Sequence, residues 1–349
     1  METPALDEKI WRPFCLLDYF DFIKGDQKDM STLTAGDVPL ISAKNSNNGY
    51  KAFVSDNGKK IFSGHCLTLN NDGDGGAGIA YYQPADFLLD AHVTALYPKI
   101  EMSRETLLFI STCITKQREK FGHGYSLNNK RLKIFRVMLP VNDSGAPDFN
   151  YMEAFVRFAE EKILQRYRDF VQEIDAAQVV PLAEKIWRPF IVGELFRLEA
   201  GKSKGLNHLE QDASGIPYLG ATNRNNGVLT FVRPVEGLVQ RGNCIAFIRN
   251  GEGSVGYSVY KREDFIATSD ITCGYADFLN EYVGLFIMTV ADKVRGKYNF
   301  NYKRSDTRLR GERLMLPVTD SGAPDFNYME AYIKKIFAEK YRKYLEYIG

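Results

Sequence analysis

Residues Met138–Ala154 read MLPVNDSGAPDFNYMEA, and residues Met315–Ala331 read MLPVTDSGAPDFNYMEA, with one change in seventeen positions. A repeat of this length indicates a tandem duplication and sets the architecture of the chain. In each copy a polar Asp-Ser-Gly turn and a proline lead to Asn-Tyr-Met-Glu. Asparagine favours the N-cap position, and a glutamate three residues later completes a capping box. The stretch therefore predicts helices capped by Asn150 and Asn327.

Apolar residues follow both predicted caps at steps of three and four, which is the spacing of one helix face. In the first copy they are Met152, Phe155, Val156, Ala159, Ile163, Tyr167, Phe170 and Ile174, and in the second they are Met329, Ile333, Phe337, Tyr341, Tyr344 and Ile348. Each copy is therefore predicted to close with a long amphipathic helix.

Two further pairs of blocks match between the copies. KIWRPF occurs at Lys9–Phe14 and again at Lys185–Phe190, so each unit opens on the same anchor. Asp37–Tyr50 and Gly215–Val228 each read as a short apolar strand that runs into a polar loop ending in Asn-Gly. Because Asn-Gly is a strong turn signal, strands are expected on both sides of each loop.

A glycine-rich block is also present in both copies, at Asn70–Phe87 and Arg249–Phe265. Apolar runs precede it and alternating aromatic residues follow it, which predicts a hairpin in each unit. A helix is expected after each hairpin, over Ser103–Lys120 and Phe278–Val294. The segment Asp175–Glu184, which contains a proline, is predicted to link the two copies.

The composition is that of a soluble globular protein: of 349 residues, 44% are hydrophobic and 26% charged, with a net charge of +1. A polar, acidic N-terminus and no apolar run near eighteen residues predict a cytoplasmic protein without a signal peptide or membrane span. The five cysteines are scattered and never form Cys-x-x-Cys, and the four histidines lie far apart. These spacings argue against a disulfide framework and against a metal site.

Positive charge is concentrated in one segment of each copy. Lys116–Arg136 holds seven Lys or Arg residues against one acidic residue, and Asp292–Arg313 holds eight against three. Aromatic and amide side chains are interleaved with them. Basic and planar polar groups together are what phosphate positioning and base-edge recognition require. The sequence therefore favours a nucleic-acid partner, and the alternative is a solvated positive face.

Two enzyme motifs are matched only formally. Gly73–Gly78 and Gly251–Gly256 fit Gly-x-Gly-x-x-Gly, but that fingerprint needs a following helix, and the residues here are aromatic and β-prone. Pro147-Asp148 with Glu160-x-Lys162 resembles a loose metal-nuclease pattern, but the second copy has Phe337 in place of Glu160. Neither match supports catalysis.

The assembled motifs resemble the specificity subunits of type I restriction-modification systems, and more narrowly the short specificity subunits of type IIB relatives. The resemblance rests on Ile216–Gly227, on Gly253–Gly256 and on the Leu-Pro-Val-x-Asp-Ser-Gly-Ala-Pro-Asp block followed by a long helix. It covers essentially the whole chain in two copies.

The resemblance implies an α+β fold with two tandem, duplicated, mostly-β target-recognition domains, each followed by a long helix. The two helices would pack as an antiparallel coiled-coil spacer. It places the first target-recognition domain at 1–148, its spacer helix at 149–180, the second domain at 181–325 and its helix at 326–349.

The resemblance also implies a function: a non-catalytic subunit that recognises a bipartite, asymmetric DNA site and directs partner subunits to it. The partners would be adenine methyltransferase subunits, possibly fused to a nuclease. S-adenosylmethionine and Mg would bind to those partners, and no cofactor is expected on this chain. The competing hypotheses are a phage-defence nuclease or nucleotide-binding enzyme, and an interaction scaffold that does not bind DNA.

Candidate DNA-binding residues lie in the polar loops and in the basic segments. In the first copy they are Lys44, Asn45, Asn47, Asn48, Lys116, Arg118, His123, Tyr125 and Lys130, and in the second they are Asn223, Arg224, Asn225, Asn226, Arg295, Lys297, Tyr302, Lys303 and Arg304. Arg224 is predicted to read a base edge, whereas Lys297, Lys303 and Arg304 are placed on phosphates. The first copy departs from the usual Thr-Asn by having Lys44-Asn45.

Helix length gives an expected site geometry. A helix from Asn150 to Ile174 is roughly 37 Å long at 1.5 Å per residue. At roughly 3.4 Å per base pair this spans about eleven base pairs. Half-sites of three or four pairs would then leave an unread gap of about six to eight pairs.

Overall fold

The computed structural model describes residues 5–29, 32–56, 58–72, 76–121, 126–174, 179–251, 253–299 and 301–348. The chain divides into two compact units, Met1–Gln165 and Arg166–Gly349. Both units follow one plan, so the duplication in sequence is a duplication in structure.

The first unit contains nine strands among the residues described. They are β1 (Trp11–Cys15), β2 (Phe20–Lys24), β3 (Ala35–Ile41), β4 (Tyr50–Val54), β5 (Cys66–Asn70), β6 (Ala80–Gln83), β7 (Leu88–Leu89), β8 (Val93–Pro98) and β9 (Arg136–Pro140). Its helices are α1 (Leu16–Tyr19), α2 (Arg104–Thr115), α3 (Asn129–Lys133) and α4 (Phe149–Ile174), and α4 continues into the second unit.

The second unit repeats this order. Its strands are β10 (Trp187–Ile191), β11 (Arg197–Ala200), β12 (Gln211–Leu219), β13 (Val228–Val232), β14 (Val239–Gln240), β15 (Cys244–Ile248), β16 (Ser258–Lys261), β17 (Phe265–Ala267), β18 (Ile271–Tyr275) and β19 (Arg313–Pro317). Its helices are α5 (Val192–Leu195), α6 (Glu281–Lys293), α7 (Asp306–Arg310) and α8 (Phe326–Ile348).

A closing ribbon joins the start and the end of each unit. β1 pairs antiparallel with β9, so that Trp11 faces Pro140, and β10 pairs with β19 in the same register. The two repeated motifs of the sequence are therefore the two strands of one ribbon. We call the β1–β9 and β10–β19 pairs the closing ribbons.

In each unit, the chain between the two strands of the closing ribbon forms two sheets. Within the described residues, the antiparallel sheet has the order β2-β8-β5-β6 in the first unit and β11-β18-β15-β16 in the second. The smaller sheet has the order β4-β3-β7 and β13-β12-β17-β14, with one parallel pair in each. The strands predicted on both sides of the polar loops are confirmed as β3–β4 and β12–β13, and the hairpins as β5–β6 and β15–β16.

The apolar face of a helix forms the core of each unit against the antiparallel sheet. In the first unit α2 buries Leu107, Ile110 and Ile114 against sheet residues such as Leu67 and Leu96. In the second unit α6 buries the equivalent face. Both helices were predicted. They begin after Ser103 and Asn280, whose side chains cap them, and they end at Thr115 and Lys293.

The caps of the long helices differ from the sequence prediction. Asp148 Oδ1 accepts the backbone N–H of Tyr151 at 3.0 Å, and Asp325 repeats the contact in the second unit. The assignment of Asn150 and Asn327 as caps is therefore wrong, because α4 and α8 begin directly after the aspartates. A carboxylate also suits a helix N-terminus electrostatically.

The same aspartate binds the opening motif of its unit. Lys9 Nζ lies 2.7 Å from Asp148 Oδ2 and 4.7 Å from the centre of the Tyr151 ring. Lys185 makes both contacts in the second unit, at 2.8 Å and 4.7 Å. The opening lysine thus fixes the first turn of the long helix to the closing ribbon.

Within the second unit, the end of α4 packs on α8. The rings of Tyr167 and Tyr341 stack with centroids 4.2 Å apart, and Phe170 meets Tyr341 edge-on at 5.4 Å. The two long helices are confirmed, and their pairing as a full-length spacer stays a prediction. Across the described part of the chain, no helix combines the length and apolar character needed to cross a membrane.

Candidate nucleic-acid interface

A left-handed backbone explains the Asn-Asn-Gly sequence at the tip of the smaller sheet. The φ angles are 51°, 51° and 78° at Asn47–Gly49 and 48°, 52° and 79° at Asn225–Gly227. Asparagine and glycine tolerate this conformation better than other residues. We call residues 43–49 and 221–227 the tip loops.

The second asparagine of each pair secures its tip loop to the hairpin of the larger sheet. The Asn48 amide donates to the carbonyl of Tyr82 at 2.9 Å, and that of Asn226 donates to the carbonyl of Tyr260 at 3.1 Å. These contacts orient the exposed part of the second loop, which includes Asn223 and Arg224.

In the second unit a glycine turn, residues 249–257, packs on the tip loop and on the basic segment. A Cβ at Gly251 would lie 2.7 Å from Cβ of Ala221 in the tip loop. A Cβ at Gly256 would lie 3.0 Å from both Cα of Arg295 and Cδ2 of Tyr298 in the basic segment. The glycines are therefore required because three backbone segments meet here.

The basic segment presents cations beside aromatic rings. Arg295 is exposed, and its guanidinium lies 4.3 Å from the centre of the Tyr257 ring. Arg308 lies 3.8 Å from the centre of the Tyr302 ring, which stacks on Tyr298. Cation–π contacts of this kind hold a guanidinium in place. The Arg308 guanidinium also donates to the carbonyl of Lys303 at 2.8 Å.

A cleft of about 680 Å³ opens where the glycine turn meets the basic segment. Amide, aromatic and cationic groups line it, and they include Asn250, Tyr257, Arg295, Asn299 and Lys303. Such groups can donate to phosphate oxygens, stack on planar rings and bond to base edges.

The first unit brings the same three segments together. A Cβ at Gly78 would lie 2.7 Å from Cδ2 of Phe121 and 3.0 Å from Cα of Arg118, as at the equivalent glycine of the second unit. Asn70 Nδ2 donates to the carbonyls of Lys44 in the tip loop and Gly76 in the glycine turn, at 2.9 Å and 3.1 Å. Both units thus have one arrangement with different side chains.

Residues 8–166 match the family model of the type I restriction modification DNA specificity domain. Over 334 residues the chain is 26% identical to the BcgI specificity subunit of a type II restriction enzyme from Heyndrickxia coagulans, with 93% of each chain aligned.

Among solved structures, the chain is similar to the S subunit of a type I restriction-modification system from M. genitalium. That alignment covers 99% of this chain and 94% of that one, with 14% identity and a TM-score of 0.46. An HsdS subunit from Thermoanaerobacter tengcongensis aligns over 95% of this chain and 91% of its own, with 12% identity and a TM-score of 0.33.

The chain carries a type I restriction-modification DNA specificity domain. The resemblance drawn from the repeated motifs is confirmed, and so is the fold class of two sheet-rich domains with long helices. The family match spans the first unit, from the closing ribbon into α4. The second unit repeats the strand order of the antiparallel sheet, and its smaller sheet repeats the order of the first with one added edge strand, β14.

The prediction that Arg304 of the second unit binds a phosphate is wrong. Its side chain is fully buried, and its guanidinium donates to both carboxylate oxygens of Glu312. The remaining donors reach the carbonyl of Gly256 at 3.2 Å and Ser258 Oγ at 3.1 Å. No phosphate can reach this group, so Arg304 fastens the basic segment to the glycine turn instead.

Tyr298 and Asp292 complete this buried network. The Tyr298 hydroxyl donates to Glu312, and burial, followed by that hydrogen bond, raises the pKa of Tyr298. Asp292 accepts the backbone N–H of Ser258 at 2.8 Å, and burial raises the pKa of its carboxyl. The second glycine turn is therefore held by ionic and polar contacts.

The first specificity unit fills the equivalent space with apolar side chains. Leu127 and Phe135 precede α3 and β9 where Arg304 and Glu312 precede α7 and β19, and both are buried. Phe121 meets Phe135 edge-on at 5.5 Å. Equivalent positions of the two units are therefore filled by apolar side chains in the first and by a buried ion pair in the second.

The other predicted DNA-binding residues divide into exposed and engaged groups. Exposed are Asn45, Asn47, Lys116, Arg118, Lys130, Asn223, Arg224, Asn225, Asn226, Arg295, Lys297, Tyr302 and Lys303. Lys44 is half-buried and donates to the carbonyl of Tyr50 at 3.0 Å. His123 and Tyr125 lie outside the described residues. The DNA-contact role of the remaining residues stays a prediction.

The formal enzyme motifs have structural explanations. The strand β16, not a helix, follows Gly256, so the fingerprint is part of a hairpin. Gly73 and Gly75 lie outside the described residues, and in the first unit the strand β6 follows. Glu160 of the nuclease-like pattern binds Arg104 through both carboxylate oxygens, at 3.1 Å and 2.9 Å. Asp148, which belongs to the same nuclease-like pattern, caps α4.

Sequence analysis missed three residues that line the second cleft: Asn250, Tyr257 and Asn299. A local signal existed for Asn250, because Asn250-Gly251 is a turn dipeptide inside the matched glycine-rich block. Tyr257 had only the signal of an aromatic residue after the last glycine. Arg295, whose guanidinium lies over the Tyr257 ring, is on a segment distant in sequence, which no local pattern reveals.

Proposed function

We propose that this chain is the DNA sequence-specificity subunit of a restriction-modification complex. The observation that carries the proposal is that, in both units, a glycine turn contacts a tip loop on one side and a basic segment on the other. The family match of the first unit and the likeness to a specificity subunit over nearly the whole chain support it.

Each unit is proposed to read one half of a bipartite site. Arg224 stands between Asn223 and Asn225, and guanidinium and amide groups are suited to guanine and adenine edges in the major groove. Arg295 and Lys297 are exposed cations on the adjacent segment, where phosphate contacts would fix the register. Base reading and backbone positioning are thus assigned to different segments.

The two half-sites should differ. At the matched positions the first tip loop has Lys44-Asn45 and the second has Thr222-Asn223. The glycine turns also differ in charge, with Asp72 in the first and Arg249 in the second. Since base contacts depend on such side chains, two different readers give an asymmetric site.

Catalysis is proposed to reside in partner subunits. These would be adenine methyltransferase subunits, possibly fused to a nuclease, in a cytoplasmic complex. S-adenosylmethionine and Mg would bind to those subunits and not to this chain. This chain would contribute DNA recognition and a platform for assembly.

Genome-wide mapping of adenine methylation tests the proposal. Cells with the chain and its partner should carry one bipartite methylated motif, and deletion of the chain should remove that motif. Retention of every methylated motif after deletion would refute the specificity role. A separate incubation of the pure chain with DNA and Mg²⁺ tests the rival nuclease hypothesis, because cleavage without partners would favour it.

A further inference from the structure

Asp72 and Asn250 occupy the same position in the two units, each two residues beyond the end of β5 or β15. The residue before each of them donates its backbone N–H to the carbonyl of the residue before β8 or β18, at 2.9 Å in the first unit and 2.8 Å in the second. The two glycine turns therefore leave their sheets in the same register, and their side chains can be compared one by one.

In both units the side chain at this position is held by the residue that precedes β8 or β18. Asp72 Oδ1 lies 2.7 Å from His92 Nδ1, and Asn250 Nδ2 donates to Asp270 Oδ1 at 3.0 Å. The carboxylate is thus on the turn in the first unit and on its neighbour in the second. One geometry holds an acceptor-only group in the first unit and an amide, which both donates and accepts, in the second.

Each held group keeps polar atoms for a ligand. Within the part of the chain that the structure describes, neither side chain makes a further hydrogen bond. Asp72 therefore retains Oδ2, and Asn250 retains Oδ1 and its second amide hydrogen. The Asp72 side chain is 44% exposed, and Asn250 lines the cleft between the glycine turn and the basic segment.

The chemistry of each group selects a base edge. A phosphate cannot donate to the Asp72 carboxylate and would be repelled by it, so an amino group is the partner that suits it. In the major groove cytosine presents its N4 amino group alone, whereas adenine presents its N6 amino group beside the acceptor N7. Cytosine matches the carboxylate, because N7 of adenine would face a second acceptor. The acceptor and the donor that Asn250 retains match the N6 amino group and N7 of adenine.

We propose that Asp72 reads a cytosine in the half-site of the first unit and that Asn250 reads an adenine in the half-site of the second. This inference rests on the proposed function and names the base at one position of each half-site. His92 and Asp270 are positioning residues, because each acts through the reader that it holds.

The test exchanges the two pairs between the units in the full-length chain, produced together with the methyltransferase subunit of its own system. One double variant is Asp72→Asn with His92→Asp, and the other is Asn250→Asp with Asp270→His. Each keeps one carboxylate with a donor beside it, so the contact that holds the reader is preserved. Binding selection from a randomised DNA library gives the preferred base at every position of both half-sites.

The native chain should select cytosine at one position of the first half-site and adenine at one position of the second. The first double variant should change that cytosine to adenine, and the second should change that adenine to cytosine, each with a preference of roughly ten- to hundredfold. The half-site of the unaltered unit should stay the same, and it is the control within each experiment.

His92→Ala alone should lower the discrimination at the cytosine position and leave cytosine preferred. A changed base at that position would make His92 the reader and would overturn the assignment. Double variants that keep the native motif, or that weaken all bases of a half-site equally, would also overturn it, because the pair would then only brace the turn. Failure of the native chain to select any sequence would instead refute the proposed function.

Discussion

The buried Arg304–Glu312 pair can be replaced with the residues that the first unit uses. The perturbation is a triple variant, Arg304→Leu, Glu312→Phe and Tyr298→Phe, compared with Arg304→Leu alone. Leu127, Phe135 and Phe121 show that a unit of this fold accepts those side chains together. The comparison separates the need for a filled core from the need for an ion pair.

The single variant leaves Glu312 buried without its partner, which costs about 3–5 kcal/mol. The triple variant removes all three polar groups of the network, and such replacements are often neutral or stabilising by about 1–4 kcal/mol. Arg304 also serves the carbonyls of Gly256 and Tyr257, and stranding a buried carbonyl costs about 1–3 kcal/mol. Both variants strand these carbonyls, and only the single variant also strands the carboxylate of Glu312, so the triple variant should lose less stability than Arg304→Leu.

Urea unfolding followed by tryptophan fluorescence measures both variants. The chain has two tryptophans, Trp11 and Trp187, one in each unit. A Trp11→Phe background leaves Trp187, which packs on Phe286 with ring centres 6.1 Å apart, as the reporter of the second unit. If Arg304→Leu cost under 1 kcal/mol, or the triple variant were as unstable as the single one, the reasoning would be refuted.

Four further outcomes are expected. Arg224→Ala should relax or abolish recognition of one half-site in a binding selection, and equal weakening of both half-sites would make the tip loop a phosphate clamp. Lys297→Ala should weaken binding to all DNA sequences and lower the slope of log K against log salt by about 1. An unchanged slope would show that Lys297 does not contact a phosphate. Burial raises the pKa of Asp292 above its ordinary 3.8, so the folded state favours the protonated carboxyl. Asp292→Asn should therefore stabilise the chain at neutral pH but not below pH 3.8. Equal melting temperatures of the variant and the native chain at neutral pH would contradict this. Seven residues, about two helical turns, inserted in phase into α4 and α8 should lengthen the unread gap of the DNA site and leave both half-sites unchanged, and an unchanged gap would remove the spacer hypothesis.

Features encoded by local sequence were predictable. The hairpins and the four principal helices follow from turn dipeptides and helical periodicity. The closing ribbons were not predicted, because each one pairs two segments that are distant in sequence. The helix caps were misplaced by two residues because Asp148 and Asn150 are both good cap residues, and only the ion pair with Lys9 decides between them. That lysine lies far away in sequence.

Arg304 shows why the candidate site was only partly predictable. It stands in a run of basic residues that reads as one exposed surface. Its burial depends on Glu312 and on two backbone carbonyls of the glycine turn, which are 47 and 48 residues away. The exposed members of the run, Arg295 and Lys297, are indistinguishable from it by composition. Only tertiary contacts separate a structural arginine from a surface one.

The closing ribbon has a consequence for how such a chain can change. Because Trp11 lies beside Pro140, the backbone enters and leaves the first reading unit at neighbouring strands, and the second unit does the same. A segment whose ends meet can be exchanged whole without disturbing what lies on either side. Recombination with a second gene that carries the same two motifs would therefore exchange one unit as a cassette, in frame, and would change one half-site only.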